Sequence, residues 1–348
     1  MMLQPIAGFK SFTTHHCVTG SMRHVYEFHQ YPISEELLLG LGAGVGFVYW
    51  HMKGTPPFYG GRANVGHPGE EGMEKLAGQR TGVAIEQSRT SSAKKAERVL
   101  LDALGTGEPV MIQVDMGFLP YLGLPQDYHF GGHVIVVAGY DADTGQVLVV
   151  DRDGIFHPVS LHTLELARSS TFKPFPPGNT WFTFDFKGRR LPQANDVWLA
   201  IAAAARRMLH PPIANLGLKG ICTAAHRTRE WMQLMDQEQL RATCFNIFIY
   251  IDAAGGTGGG FFRYMYGRFL SEAAQITGNE RLVNVGDEMR HIGDQWQEVA
   301  QLFKQASASD NPAAPIHGAT SHMLAIADGE QGVWEQLQRL LPRSLGEV

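Results

Sequence analysis

His15-His16-Cys17-Val18-Thr19-Gly20-Ser21 places a thiol where an amphipathic helix begins. Val18, Met22, Val25, Tyr26 and Phe28 follow at helical spacing, and Thr13 and Thr14 stand where an N-cap is expected. A cysteine in a first helical turn faces backbone N–H groups without intrahelical partners and the positive end of the helix dipole. Both favour thiolate over thiol. Free cysteines are commonly small buried side chains with no chemistry, so this one acquires meaning only if a base pairs with it.

The second stretch supplies that base. Gly131-Gly132-His133-Val134-Ile135-Val136-Val137-Ala138-Gly139-Tyr140-Asp141 leads through Ala142-Asp143-Thr144-Gly145 into Gln146-Val147-Leu148-Val149-Val150-Asp151. Two β-branched runs around an Asp/Gly turn predict a β-hairpin. His133 opens its first strand and Asp151 closes its second, so the two ends lie side by side. Asp151 is then placed to accept Nδ1–H of His133, leaving the other ring nitrogen for the thiol. Cys17, His133 and Asp151 form nucleophile, base and orienting carboxylate in the chain order of papain-like enzymes.

Composition narrows the setting. Hydrophobic residues at 44% and charged residues at 18% are the balance of a globular chain rather than a disordered one. Cys17, Cys222 and Cys244 are an odd set without metal-ligand spacing, which argues against a disulfide scaffold and fits a reducing compartment. No apolar run reaches membrane-spanning length, and Met1–Lys10 has no secretory pattern, so a cytoplasmic protein is expected. The net charge of −5 resides in residues 1–185. Beyond them Lys187, Arg189, Arg190, Arg206, Arg207, Lys219, Arg227 and Arg229 meet only Asp196, which is either a solvated face or a dock for an acidic protein. Nucleic acid is not expected, because the chain is acidic and carries no binding motif.

Working outward, Ser34 caps a short helix through Leu41, and Phe47-Val48-Tyr49-Trp50 reads as a strand. Gly60-Gly61-Arg62-Ala63-Asn64 reads as a turn, lacking the Lys-Ser/Thr of a phosphate loop. A helix near 70–78, a strand near 82–87, a helix from Ser91 or Ser92 to Leu104 and a strand over 109–114 follow. The loop Met116–Gly132 is long and aromatic, and Tyr121, Tyr128 and Phe130 are its candidates for a substrate-channel wall. Ser160 starts a short helix, and Thr180–Phe186 alternates as a closing strand. After Lys187–Gln193 the apolar period changes from 2 to 3.6. Leu282, Val285, Met289, Ile292, Trp296, Val299 and Phe303 then form a bundle seam, and Val333–Leu341 a last amphipathic helix. The fold class is therefore α+β: a papain-like domain over residues 1–187, with a helix carrying Cys17 and an antiparallel sheet, then a mainly helical domain over 188–348.

Weaker motifs are set aside. The run Gly255–Gly260 lacks a Rossmann strand or Walker lysine and reads as a connector between helices. Glu288 and His291 form a lone Glu-x-x-His where a di-iron site needs two, and His317 and His322 read as surface loop. Adjacent His15 and His16 point in different directions and do not complete a zinc site with Cys17.

The segments His16–Ser21, Gly60–Asn64 and Gly132-His133-Val134 with its hairpin resemble the N-terminal domain of the butirosin biosynthesis protein H family. The segment 256–269 and the Trp296 helix resemble the uncharacterised helical domain that often accompanies it. The resemblance implies a papain-like cysteine acyltransferase of specialised metabolism. In it an acyl group passes from the phosphopantetheine thioester of an acyl carrier protein to a small-molecule amine. Cys17 would be the nucleophile, His133 the base and Asp151 the orienter, with a carrier protein docking on 187–229 and no cofactor or metal held by the chain itself. The same core resembles bacteriocin-leader peptidase domains, which place a Gln for the oxyanion hole six residues before the Cys. Ser11 stands there instead. The Cys17 N–H is one oxyanion donor, and His16 and Asn64 are candidates for the second. A cysteine peptidase or amidase with the same triad, and a binding protein with a vestigial site, are the rival readings.

Overall fold

The computed structural model describes residues 3–52, 54–62, 71–125 and 127–343. The chain runs through α1 (Cys17–Phe28), α2 (Glu35–Leu41), β1 (Val45–Trp50), β2 (Phe58–Arg62), α3 (Met73–Thr81), β3 (Ala84–Ser88), α4 (Ala93–Gly105) and β4 (Val110–Val114). It continues with β5 (His133–Asp141), β6 (Gln146–Val150), β7 (Phe156–Ser160), α5 (Leu161–Ser169) and β8 (Trp181–Asp185). Six helices complete it: α6 (Ala194–Leu209), α7 (Gly217–Leu234), α8 (Gln237–Ile251), α9 (Arg263–Thr277), α10 (Arg281–Ala308) and α11 (Ala313–Leu340). The fold is α+β, with antiparallel sheets and a helical C-terminal region. No helix among the described residues is long and apolar enough to cross a membrane.

Two compact units divide the chain, one of residues 1–38 with 81–190, the other of 39–80 with 191–348. The sequence reading makes a single cut after 187. Residues 39–80 fall on the other side of it because the β1–β2 hairpin is core material of the helical unit. Phe47 packs on Phe261 and Trp296, and Tyr59 on Trp231 and Phe303. Gly60, Gly61 and Arg62, read as part of a turn, lie within β2. A Cβ on Gly61 would come within 2.7 Å of Phe262, so the close approach of the Phe261-Phe262 rings requires glycine there.

In the first unit the six strands lie in the order β3-β8-β4-β5-β6-β7. Val110, Ile112, Val114, Ile135, Val137, Val147, Val149 and Val159 form one core with Leu100 and Leu104 of α4 and Leu164 and Ala167 of α5. The intervening Met111, Val134, Val136 and Val150 are buried as well. The sheet is thus covered on both faces, and this is why its central strands read as unbroken apolar runs. α1 packs along β4 and β5, and Ser21 Oγ donates to the Val134 carbonyl at 3.3 Å. β7 escapes the sequence reading because His157 and Pro158 interrupt its alternation; it is an edge strand, where proline is tolerated.

In the helical unit all seven seam residues of α10 are buried. Among them lies an ion pair with no exposure, Arg263 Nε to Glu330 Oε1 at 2.8 Å and Nη2 to Oε2 at 3.0 Å. Trp296 Nε1 and Trp334 Nε1 donate to the same carboxylate at 3.0 and 3.1 Å, and Arg263 Nη1 donates to the carbonyls of Gly46 and Phe261. His317 and His322, read as loop, lie on α11, whose alanine- and glycine-rich first half carries too few large apolar residues to show a period.

Candidate active site

α1 is capped by His16, not by Thr13 or Thr14. The His16 backbone is extended, and its Nδ1 faces the Thr19 N–H at 3.4 Å. Thr14 has another task. Its N–H donates to the Arg152 carbonyl at 2.8 Å, tying the entry to α1 onto the turn that follows β6. The contact is close enough that a Cβ on Gly154, itself at φ +73°, would lie 2.7 Å from Thr13 N. The same pairing draws Cys17 toward the strand end that carries Asp151.

Glu35 and His24 complete this anchoring, and neither was singled out in the sequence. Glu35 is buried and accepts the N–H groups of His15 (2.8 Å) and His16 (3.1 Å) and the Thr19 hydroxyl (3.3 Å). An acid in the first turn of a short helix carries no signal of such a role. His24 stacks on Phe12 at 4.2 Å, accepts the Phe12 N–H through Nε2 and donates Nδ1–H to the Gly20 carbonyl. Burial pulls its pKa down to about 4, so it serves as a neutral strut.

His133 and Asp151, both buried, meet as anticipated at the hairpin end, but the ring is turned the other way. Nε2, not Nδ1, bonds Asp151 Oδ2, at 2.7 Å. The register pairs Val136 with Val150 and leaves Asp151 one step further along, diagonal to His133, within reach of the far ring nitrogen. The His133 side chain also acts on Cys17, favouring its thiolate form. Asp151 is held by two further donors, the Tyr121 hydroxyl to Oδ2 at 3.1 Å and the Arg152 N–H to Oδ1 at 2.8 Å.

These contacts set the charges. Burial opposes ionisation of Cys17, but the charge of His16 and hydrogen bonds from His133 and His16 outweigh it, holding the thiol well below its usual range. Burial also disfavours a charged His133, and the Asp151 carboxylate reverses this and raises the ring above its ordinary value. Asp151 is itself brought down to about 2, its burial overcome by the His133 charge and hydrogen bond. The favoured state is thiolate, imidazolium and carboxylate in series, and the Cys17 residue is half-buried. Such a group attacks an electrophilic carbonyl without first losing a proton to a separate base.

The aromatic loop after β4 divides in use. Tyr121 stacks on His157 at 4.0 Å and turns its hydroxyl onto Asp151, where it orients the carboxylate. Tyr128 and Phe130 are half-buried. The loop is pinned by buried Asp115, which accepts Gly117 N–H, Phe130 N–H and His129 Nδ1–H at 3.0 Å each and Ser170 Oγ–H at 2.6 Å. Asn64, an oxyanion candidate, lies outside the described residues. His16, next to Cys17 in the chain, favours its thiolate form.

The remaining motifs have local settings of their own. Glu288 accepts from Gln336 and His291 faces Asp294, and no group of metal-ligating side chains occurs among the described residues. Gly256, Gly258, Gly259 and Gly260 all take positive φ in the turn before α9. Of the basic segment, Lys187 pairs with Asp185, Arg227 with Glu230, and Arg229 donates to Thr320. Asp185 and Glu230, just outside the segment, thus meet part of its charge.

Residues 16–152 match the family described as butirosin biosynthesis protein H, N-terminal, a span that contains Cys17, His133 and Asp151. Residues 162–337 match a domain of unknown function (DUF4872). No curated protein matches the chain.

Proposed function

We propose, on the premise that this chain belongs to the butirosin biosynthesis protein H family, that it is a cysteine acyltransferase of antibiotic-type biosynthesis. The family's name supports a biosynthetic role. What carries the chemical reading is the Cys17 sulfur set against a buried imidazole that is backed at 2.7 Å by a buried carboxylate.

The reaction proceeds in two half-cycles. The Cys17 thiolate attacks the thioester carbonyl of an acylated carrier protein, and His133 gives its proton to the departing phosphopantetheine thiolate. This leaves S-acyl-Cys17, a free carrier thiol and neutral His133. An amine then attacks the acyl group, neutral His133 takes the amine proton, and Cys17 departs as thiolate, restoring the ion pair. Thioester exchange is close to thermoneutral and amide formation from a thioester is downhill, so a thiol nucleophile suits this donor. The phosphopantetheine travels with the donor, and the chain requires no cofactor of its own. The basic residues of 187–229 are the proposed dock for an acidic carrier.

The test is intact mass of the full chain after incubation with an acyl-phosphopantetheine thioester, then with an amine. Wild type should gain one acyl mass that the amine removes, and Cys17→Ala should gain none. An adduct on Cys17→Ala, or cleavage of a peptide amide with no acyl transfer, would replace this reading with another nucleophile or with a peptidase.

A further inference from the structure

Asp151 and Asp153 stand two residues apart in the turn between β6 and β7, and each holds a histidine. His133 Nε2–H donates to Asp151 Oδ2 at 2.7 Å, and His157 Nε2–H donates to Asp153 Oδ2 at 2.8 Å. The first pair belongs to the triad; the second has no part in the chemistry described so far. Tyr121 joins them. Its ring lies parallel to the His157 imidazole, 4.0 Å between centroids and 12° between planes, and its hydroxyl donates to Asp151 Oδ2 at 3.1 Å. Asp151, Tyr121, His157 and Asp153 thus close a circuit that begins and ends in one turn.

Each link of that circuit removes a freedom. The torsion that turns an aromatic ring about its bond to Cβ has a broad minimum, so the backbone alone leaves the direction of the Tyr121 hydroxyl loosely set. A parallel ring beneath it fixes the plane. The His157 ring has the same freedom, and Asp153 takes it away. Asp153 is held in its turn by the Ile155 N–H, which donates to Oδ1 at 3.0 Å. The turn is also where α1 is anchored, because the Thr14 N–H donates to the Arg152 carbonyl at 2.8 Å. The helix that carries Cys17 and the ring that steers Asp151 are therefore both referred to the same few residues of backbone.

We propose that His157 is a positioning residue for the triad: held by Asp153, it sets the plane of the Tyr121 ring and, through the Tyr121 hydroxyl, fixes Asp151 Oδ2 against His133. This rests on the Cys17–His133–Asp151 reading and adds a second histidine–aspartate pair that acts only through Tyr121. It gives the edge strand β7, which carries His157, a task beyond completing the sheet. It also separates two effects that a substitution in the aromatic loop would mix, the loss of a hydroxyl and the loss of its aim.

The experiment is a double-mutant cycle read by the rate of Cys17 alkylation with iodoacetamide at mildly acidic pH, followed by intact mass on the full chain. Cys17→Ala is the blank for the other two thiols, and thermal unfolding checks that each variant is folded. Wild type should react faster than glutathione under the same conditions. Tyr121→Phe and His157→Ala should each slow alkylation about tenfold, the loss of one hydrogen bond to a charged group. The double variant should be no slower than either single one, because both remove the same hydroxyl from Asp151. His157→Phe, which keeps a ring beneath Tyr121, should recover most of the rate. Asp153→Ala, at an exposed position, should slow alkylation in wild type and change nothing in the Tyr121→Phe background, which carries the test if His157→Ala does not fold. Single effects that multiply to about a hundredfold in the double variant, or a wild-type rate in His157→Ala, overturn this inference and leave the acyltransferase reading standing. Wild-type Cys17 reacting no faster than glutathione overturns both.

Discussion

The Tyr121 hydroxyl and the His133 ring converge on one oxygen, Asp151 Oδ2, at 3.1 and 2.7 Å. A single carboxylate oxygen thus carries both the base and an aromatic residue from the loop that precedes it. Burial and the Asp151 charge keep the Tyr121 hydroxyl strongly protonated, so it remains a donor throughout the working pH range. Tyr121→Phe removes that donor while leaving the ring stacked on His157. Its expected effect is a fall of about tenfold in the rate of Cys17 acylation, equivalent to about 1.4 kcal/mol of lost orientation, with little change in donor KM. A KM effect with an unchanged rate would instead give Tyr121 a role in donor binding.

The pH profile of acylation follows from the same pair. The reactive form needs thiolate and imidazolium together. It builds as the Cys17 thiol ionises, below the ordinary thiol range, and is lost as His133, raised to about 9, gives up its proton. A bell with its alkaline limb near pH 9 is expected from single-turnover rates. Asp151→Asn removes the charge that reverses the burial penalty on His133, so the alkaline limb should move toward neutrality and the plateau narrow. An alkaline limb that stays in place would show that something other than Asp151 holds the proton on His133.

What the sequence made legible is uneven, and the reason is physical. His133 and Asp151 could be paired from sequence because a hairpin with a short turn fixes which ends meet. Which ring nitrogen faces Asp151 depends on a diagonal offset across the hairpin, which the strand pattern leaves open. Cys17 was visible as a thiol in a first helical turn, yet its cap was not, since His16 is an uncommon N-cap and Thr13 and Thr14 are common ones. Glu35 acts through contacts with residues 16 to 20 positions earlier in the chain, and residues at such separations leave no periodic trace. The two-domain reading followed the change of period near residue 190 and so missed residues 39–80. A β-hairpin buried among helices has the alternation of any other strand pair.

Asp115 accounts for the order of the loop beside the site. It is fully buried and takes four donors, from Gly117, His129, Phe130 and Ser170. Asp115→Ala leaves those donors unmatched, a cost of about 3 kcal/mol or more. The segment 116–132 should then become the first site of limited proteolysis, and the acylation rate should fall through loss of the Tyr121 contact. Protection of this segment equal to wild type would mean that the stacking of His129 on Phe172, at 3.4 Å between centroids, suffices to hold it.

In the helical unit the decisive contact is the ion pair of Arg263 with Glu330. The Glu330 carboxylate accepts from the Trp296 and Trp334 indoles and balances a guanidinium that has no exposure and that also donates to the Gly46 and Phe261 carbonyls. Glu330→Gln preserves shape and some hydrogen bonding but leaves the Arg263 charge uncompensated in the core. Breaking one side of such a pair costs about 3–5 kcal/mol, which corresponds to a fall of about 10 °C in Tm for a unit of this size. Removing both charges, as in Arg263→Met with Glu330→Gln, should recover part of that loss, because the desolvated cation is gone even though the two carbonyls lose a donor. Tryptophan fluorescence follows the transition directly, since Trp296 and Trp334 report on the same carboxylate. A single Glu330→Gln variant that melts with wild type would show that Arg263 is neutralised by a group other than Glu330.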